Sequence, residues 1–248
     1  MPFIDFNCDL GEGTGNDEAI MPYISSASIA CGFHAGDEDT MQRTVGLCLK
    51  NNVSIGAHPS YPDKENFGRT DMSLTGDEIF SIVSQQIQLL SSIVKSFGKK
   101  LQHVKPHGAL YNMAAKDITI ANAIIKAINH FDDGLLFYGL PESEMEKAAE
   151  VAGIKFIGEV FADRTYQPDG TLTPRTLPNA LIEEEAKAIE QVMQIVKNKT
   201  VTCVNGEMIS LNADTICIHG DGKHAIQFAE ALHSKLITEH ISIQSFNQ

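Results

Sequence analysis

Residues 3–9 read Phe3-Ile4-Asp5-Phe6-Asn7-Cys8-Asp9, a strict apolar–polar alternation from Ile4 onward. In a β-strand successive side chains point to opposite faces. Asp5, Asn7 and Asp9 therefore share one face, and Ile4, Phe6 and Cys8 the other. The same pattern recurs along the chain. Apolar runs at 28–33, 53–57, 101–106, 155–161 and 215–218 lead to Ala30/Gly32/His34, Gly56/His58, His103/Lys105/His107, Glu159/Phe161/Asp163 and Cys217/His219/Asp221. With a further run at 135–138 these make seven candidate strands, six of which finish with polar or titratable groups on one face.

The segments between the runs carry helical periodicity. In 77–97, Ile79, Phe80, Val83, Ile87, Leu90, Val94 and Phe97 fall near a 3.6-residue period. Thr75 and Glu78 have capping-box spacing, and Gly98 supplies a stop. Weaker patterns occupy 119–130, 142–152, 180–197 and 223–237. Strand–helix alternation predicts an α/β fold with a parallel sheet and right-handed crossovers. A closed barrel is favoured over an open doubly wound sheet: the carboxyl ends of barrel strands meet above one lumen, whereas an open sheet offers only a crevice at its switch point. Residues 1–248 read as a single barrel domain. Two insertions interrupt the rhythm: a loop at 163–179 with a Pro168-Asp169-Gly170 turn, and a hairpin at 201–211 with Asn205-Gly206 as a type I′ turn. Loops of this length are commonly lids or rims.

Composition narrows the function. The chain has 19 Lys+Arg against 32 Asp+Glu, a formal charge of −13, which disfavours a nucleic-acid partner. Hydrophobic content of 43% with 21% charged residues fits a globular protein with a packed core. No apolar run approaches the roughly 18–20 residues of a membrane span, and no basic segment precedes an apolar stretch near Met1. Cys8, Cys31, Cys48, Cys203 and Cys217 are odd in number and form no CxxC, so neither a disulfide framework nor a structural zinc site is expected. A reduced, cytoplasmic setting follows.

Chemistry concentrates at the strand tips. Carboxylates (Asp9, Glu159, Asp163, Asp221), imidazoles (His34, His58, His107, His219) and cations (Lys105, Arg164, Arg69) suit general acid–base work and the holding of an anionic substrate. Asp5 reads as a hydrogen-bonded residue at the barrel floor. A buried lysine needs an anionic partner, and Asp9, Glu159 or Asp163 would serve Lys105. Asp9 with two histidines would also suit a divalent metal, although no spacing in the sequence requires one. Gly220-Asp221-Gly222-Lys223-His224 lacks the first glycine and the Ser/Thr of a phosphate loop. Gly11-Glu12-Gly13-Thr14-Gly15 is superficially similar to a dinucleotide loop, but its third glycine is missing and Glu12, Asp17 and Glu18 would repel a pyrophosphate. It reads as a flexible active-site loop. There is no GxSxG elbow.

The stretches Asn7-Cys8-Asp9-Leu10-Gly11-Glu12, Ile29-Ala30-Cys31-Gly32-Phe33-His34-Ala35-Gly36-Asp37, Gly56-Ala57-His58-Pro59-Ser60-Tyr61-Pro62-Asp63, Val104-Lys105-Pro106-His107-Gly108-Ala109-Leu110-Tyr111-Asn112, Gly158-Glu159-Val160-Phe161-Ala162-Asp163-Arg164 and Ile218-His219-Gly220-Asp221 together resemble the LamB/YcsF family across nearly the whole chain. Asp5-Phe6-Asn7 departs from that family's Asp-Leu-Asn only at its outward-facing middle position. Thr70 stands where a second basic residue is frequent, so only Arg69 is carried over.

The resemblance implies a distorted (β/α)7 TIM-like barrel of the glycoside hydrolase/deacetylase kind. It implies a hydrolase: the A subunit of an ATP-dependent 5-oxoprolinase, cleaving 5-oxo-L-proline to L-glutamate together with the B and C subunits. With no phosphate loop here, ATP is expected mainly on the partner subunits. Within that reading Asp9 or Glu159 would act as base, His107 and His219 as acid–base or oxyanion partners, and Lys105 or Arg69 would hold the substrate carboxylate. Asn7 would bond the ring amide, and His34, His58, Asp163 and Arg164 would complete the substrate site. Two alternatives stay open: a metal-dependent deacetylase of an N-acetylated carbohydrate, and a non-catalytic lactam-binding subunit.

Overall fold

A computed structural model describes residues 2–219 and 225–246. In chain order its strands are β1 (Phe3–Leu10), β2 (Ser26–Ala30), β3 (Ser54–His58), β4 (His103–Val104), β5 (Leu136–Gly139), β6 (Phe156–Phe161), β7 (Thr200–Thr202), β8 (Met208–Ser210), β9 (Thr215–His219) and β10 (Ser242–Ile243). Its helices are α1 (Asp17–Ile20), α2 (Glu38–Asn51), α3 (Gly76–Ser96), α4 (Gly108–Ala114), α5 (Ile118–Phe131), α6 (Glu144–Ala152), α7 (Glu185–Asn198) and α8 (Ala225–Thr238). Strands β1 to β6 pair side by side in parallel, β6 pairs with β9, and β9 pairs back with β1 from Asp5↔Thr215 to Asp9↔His219. The result is a closed seven-stranded parallel barrel, with β10 added at Phe3 and Ile4 of β1.

The alternation in residues 3–9 is what makes closure favourable. Ile4, Phe6 and Cys8 turn outward and join one apolar layer with Ile79, Val83, Ile87 and Leu90 of α3 and with the stripe of α5. Asp5, Asn7 and Asp9 turn inward, where the lumen must satisfy them. Asp5 forms the floor as expected: Oδ1 accepts from Ser25 and Ser26 at 2.6 and 2.7 Å, and Oδ2 from Thr215 and Tyr138 at 2.7 and 3.0 Å. Four donors replace the water lost on burial. Helix α3 begins with the full Thr75–Glu78 capping box, and Gly98 follows its end at φ +72°.

Several boundaries differ from the sequence reading, each for a local reason. Gly32 sits at φ +86°, which ends β2 before residue 33, so His34 arrives from a turn rather than by strand alternation. Only His103 and Val104 of 101–106 pair as strand, because Pro106 has no N–H to donate; Lys105 N and His107 N still bond Ala57 O and Pro59 O. Residues 180–184 are not helical: Leu181 bridges Arg164, and Ile182 N donates to Asp163 O, so α7 starts at Glu185. The 201–211 hairpin exists, but its turn is not type I′. Asn205 keeps negative φ, Gly206 N donates to Cys203 O, and Gly206 takes φ +87°, which makes a type I turn closed by a glycine bulge. Helix α2, capped by Asp37 on Thr40 N and buried through Met41, Val45 and Cys48, was not singled out from the sequence. All five cysteines are free and buried, and among the described residues no helix is long and apolar enough to cross a membrane.

The floor is tightly packed at Gly56 of β3, where a Cβ would lie 2.1 Å from His103 Nε2. The Gly56→Ala variant is expected to lose about 1–3 kcal/mol through overpacking, read as a lower urea midpoint. Gly46→Ala, in α2 with no atom near its would-be Cβ, is expected to gain about 0.5–1 kcal/mol from helix propensity.

Candidate active site

Above the floor lies a layer built around one ammonium group. Lys105 Nζ is 2.7 Å from Asp9 Oδ1 and 2.6 Å from Glu159 Oε1, and it donates to Asn7 Oδ1 at 2.9 Å and Cys217 Sγ at 3.1 Å. The side chain is buried. Burial opposes its charge, but Asp9, Cys217 and Glu159 outweigh that penalty and hold Lys105 well above the ordinary lysine range. Burial likewise opposes the Asp9 charge; His58 and Lys105 prevail and keep the Asp9 carboxyl well below its ordinary value. Asp163 does not pair with Lys105. Its oxygens lie 2.9 and 3.0 Å from His219 Nδ1, and despite burial the His219 contact keeps its carboxyl low.

Asn7 is fully occupied: its amide nitrogen donates to Glu159 Oε1 and Thr215 Oγ1 while its oxygen takes Lys105. It orients the lysine from below and, like the fully buried Glu159, does not line the cavity above. That cavity, about 950 Å³, opens at the carboxyl ends of the strands, lined at its base by Asp9, His58, Lys105, His107 and His219 and higher up by Arg69, Arg164 and Arg175.

Beside Asp9 stands a group of imidazoles. His34 and His107 stack with centroids 3.8 Å apart and planes within 6°. His58 meets His107 edge-on, with Nε2 2.9 Å from His107 Nδ1 and 3.3 Å from Asp9 Oδ2. Glu12 reaches in from the turn after β1, its Oε1 3.1 Å from His34 Nε2 and 3.4 Å from His107 Nδ1. Burial drives the His34 ring down to about 2, assisted by the neighbouring His58, and pushes His107 well below the usual imidazole range, assisted by His34. Two sets therefore offer donors to a cation: Glu12, His34, His58 and His107, and Asp9, Cys217 and His219.

The structure thus brings Asp9, His58, Arg69, Lys105, His107, Arg164 and His219 to one cavity. His34 lies behind His107, Asp163 behind His219, and Asn7 and Glu159 beneath Lys105. Arg164 is partly committed to the 163–179 loop: its guanidinium donates to Thr173 O at 2.6 Å and Ala180 O at 3.3 Å, and burial lowers it to about 10. Asp221 lies outside the described residues. Glu12 was expected only as part of an active-site loop at Gly11–Gly15 and not by itself, while Lys116 and Arg175 were not anticipated as cavity residues. Glu12 left a signal, a carboxylate inside a Gly11-Glu12-Gly13 turn directly after a strand; both glycines take positive φ. Lys116 and Arg175 left none, because they reach the rim through α4 and through the folding of the 163–179 loop.

A closed β/α barrel whose strand tips converge on buried carboxylate, imidazole and ammonium groups places its chemistry where barrel enzymes carry their active sites. The chain belongs to the LamB/YcsF family, whose sequence profile matches residues 4–248. It is 52% identical over 254 residues to the A subunit of 5-oxoprolinase from Bacillus mycoides (strain KBAB4), covering 100% of both chains. It superposes on the lactam utilization protein from Thermus thermophilus with a TM-score of 0.92 at 36% identity, covering 98% of this chain and 100% of that one. The family 4 carbohydrate esterase from Streptomyces lividans shares the fold alone, with a TM-score of 0.53 at 10% identity over 99% of this chain and 93% of that one.

His103, stacked on Tyr138 and bonded to Ser28 Oγ, is lowered to about 3 by burial and then by Lys105. Between pH 6.5 and 3 the unfolded chain carries a proton on this ring that the folded chain lacks, so stability falls as pH falls through that window. The expected slope from His103 is about 1.4 kcal/mol per pH unit. Urea unfolding of wild type and His103→Gln at about pH 7, 6 and 5 checks it: the variant loses less stability with acidification.

Proposed function

We propose that the chain is the A subunit of an ATP-dependent 5-oxoprolinase, a cytoplasmic hydrolase complex that opens 5-oxo-L-proline to L-glutamate with ATP hydrolysis. The observation that carries this reading is the end-to-end 52% identity to a protein of that name; the cavity's chemistry supplies the roles. Residues 1–248 act as one barrel unit.

Opening the lactam requires that the ring C–N bond break, that water add its hydroxyl to the carbonyl carbon and that the nitrogen leave protonated. The amide is a poor electrophile; transfer of the terminal phosphoryl group of ATP to its oxygen, with ADP leaving, makes the carbon attackable, and once the ring nitrogen has left, a second water cleaves the resulting acyl phosphate to L-glutamate and inorganic phosphate. This chain shows no phosphate-loop sequence, so the B and C subunits supply that transfer, while the barrel receives the lactam or its activated form and directs water to it. Lys105, fixed by Asp9, Glu159, Asn7 and Cys217, presents a permanent positive charge at the cavity base, where a developing oxyanion is stabilised without reorganisation. Asp9 accepts a proton from the attacking water. His219, its Nδ1–H held by Asp163, has its other nitrogen available to deliver a proton to the leaving nitrogen, as carboxylate-oriented imidazoles do. The guanidinium of Arg69, at the cavity wall against Phe67, suits the substrate carboxylate. Glu159, closed off beneath Lys105, fixes the lysine and is not a candidate base. Likeness to carbohydrate esterases at 10% identity gives no support to a deacetylase reading.

The test is glutamate release from 5-oxoproline and ATP by the chain reconstituted with its two partner subunits. The barrel alone is expected to release none. Lys105→Met, Asp9→Asn and His219→Gln are each expected to lower kcat by about 100-fold or more, the scale of a lost proton-transfer or oxyanion group. Asp163→Asn is expected to cost less and to shift the pH profile. Near-normal turnover in the first three variants would reject the assigned roles.

A further inference from the structure

The cluster of Glu12, His34, His58 and His107 plays no part in the proton transfers above, and its hydrogen bonding leaves a conflict. His58 Nδ1 lies 2.7 Å from the carbonyl of Lys105, and His107 Nε2 lies 2.9 Å from the carbonyl of Phe67. A carbonyl only accepts, so both nitrogens carry the hydrogen. His34 Nδ1 faces Ser60 Oγ at 2.9 Å, and that hydroxyl gives its own hydrogen to Tyr61 O at 2.9 Å, so His34 Nδ1 donates as well. In the neutral rings the remaining nitrogens, His34 Nε2, His58 Nε2 and His107 Nδ1, are lone pairs, and His58 Nε2 also faces the Asp9 carboxylate, 3.3 Å from its Oδ2.

These three lone pairs converge on one another and on the Glu12 carboxylate, all four ligand atoms lying within 4.8 Å of each other. His58 Nε2 and His107 Nδ1 are only 2.9 Å apart, and two neutral rings tied in this way place no hydrogen between them. Glu12 Oε1 adds a fourth acceptor at 3.1, 3.4 and 3.9 Å from the three nitrogens. One proton relieves one such pair; it does not relieve four acceptors facing a common point. A metal ion does. Zinc bonds to nitrogen and oxygen of about 2.0–2.1 Å set tetrahedral ligand–ligand edges near 3.4 Å, and the measured separations bracket that value. Each imidazole's far nitrogen is already tied to an acceptor, the arrangement that fixes the tautomer of a metal-ligating histidine.

We propose that this chain binds one divalent transition-metal ion through His34 Nε2, His58 Nε2, His107 Nδ1 and Glu12 Oε1. Three imidazoles and one carboxylate suit zinc, cobalt or nickel over magnesium or calcium. Glu12, His58 and His107 line the cavity, so the ion faces the space a substrate enters, and when bound it polarises an oxygen presented from there. The assignment rests on geometry alone and is independent of the lactam reading.

The experiment is metal uptake by the intact chain, with no activity measured. Chelator-stripped protein is titrated with zinc chloride by calorimetry, its bound metal is counted by mass spectrometry, and it is separately loaded with cobalt(II) for visible spectroscopy. Expected are one equivalent bound at submicromolar Kd and cobalt d–d bands of low-symmetry coordination. Glu12→Gln and His107→Asn are each expected to weaken uptake at least tenfold, while His219→Gln, which removes a ligand of the other cluster, leaves it unchanged. Glu12 lies in a turn, so its variant keeps the barrel intact. Absence of saturable uptake by wild type overturns the proposal, as does uptake insensitive to both Glu12→Gln and His107→Asn. Loss of the cobalt bands in His219→Gln alone moves the ion to the Asp9, Cys217 and His219 cluster and overturns it equally.

Discussion

A lysine ammonium closed inside a barrel is the constraint around which the rest of the interior is arranged. Stripped of water, such a charge is costly unless counter-charges and acceptors surround it. Lys105 has both: Asp9 and Glu159 as charges, Asn7 and Cys217 as further acceptors. These partners come from β1, β6 and β9, so satisfying one nitrogen ties together strands far apart in sequence. Removing Lys105 leaves two carboxylates facing each other in a dry interior, and removing Asp9 and Glu159 together strands the ammonium, which is why the group behaves as a unit.

The interior is layered along β1. Asp5 collects four donors at the floor, Asn7 holds Lys105 from below, and Asp9 meets the cavity. Each step of two residues climbs one layer, from structural satisfaction to chemistry. The mouth is finished by groups that the strands alone do not deliver. Glu12 comes from the glycine turn after β1, His34 from the turn that Gly32 creates, and Arg175 from the long loop that Arg164 braces through Thr173 and Ala180.

Strand identity and facing were legible because a period of two is a local property: Asp5, Asn7 and Asp9 on one side of Ile4, Phe6 and Cys8 leaves one workable orientation. The capping box of α3 was legible for the same reason, being written within four residues. Pairings across the barrel were not. Lys105 had three plausible anions in sequence, and only closure chose Asp9 and Glu159 and sent Asp163 to His219. Asn7 and Glu159 looked like substrate or catalytic residues until depth placed them beneath the lysine. The hairpin turn misled because Asn-Gly permits two left-handed residues but does not demand them; here only Gly206 takes one.

By itself the sequence determined that this chain alternates strands and helices, that six of its seven candidate strands finish with polar or titratable groups on one face, and that acids, bases and cations sit at the strand tips. Those facts follow from side-chain periodicity, which needs no partner. Tertiary structure alone decided which acid meets which base, which groups reach the cavity and which lie sealed below it, and that three imidazole nitrogens converge on Glu12. Such relations depend on distances between residues far apart along the chain, and those distances are set only when β9 closes against β1.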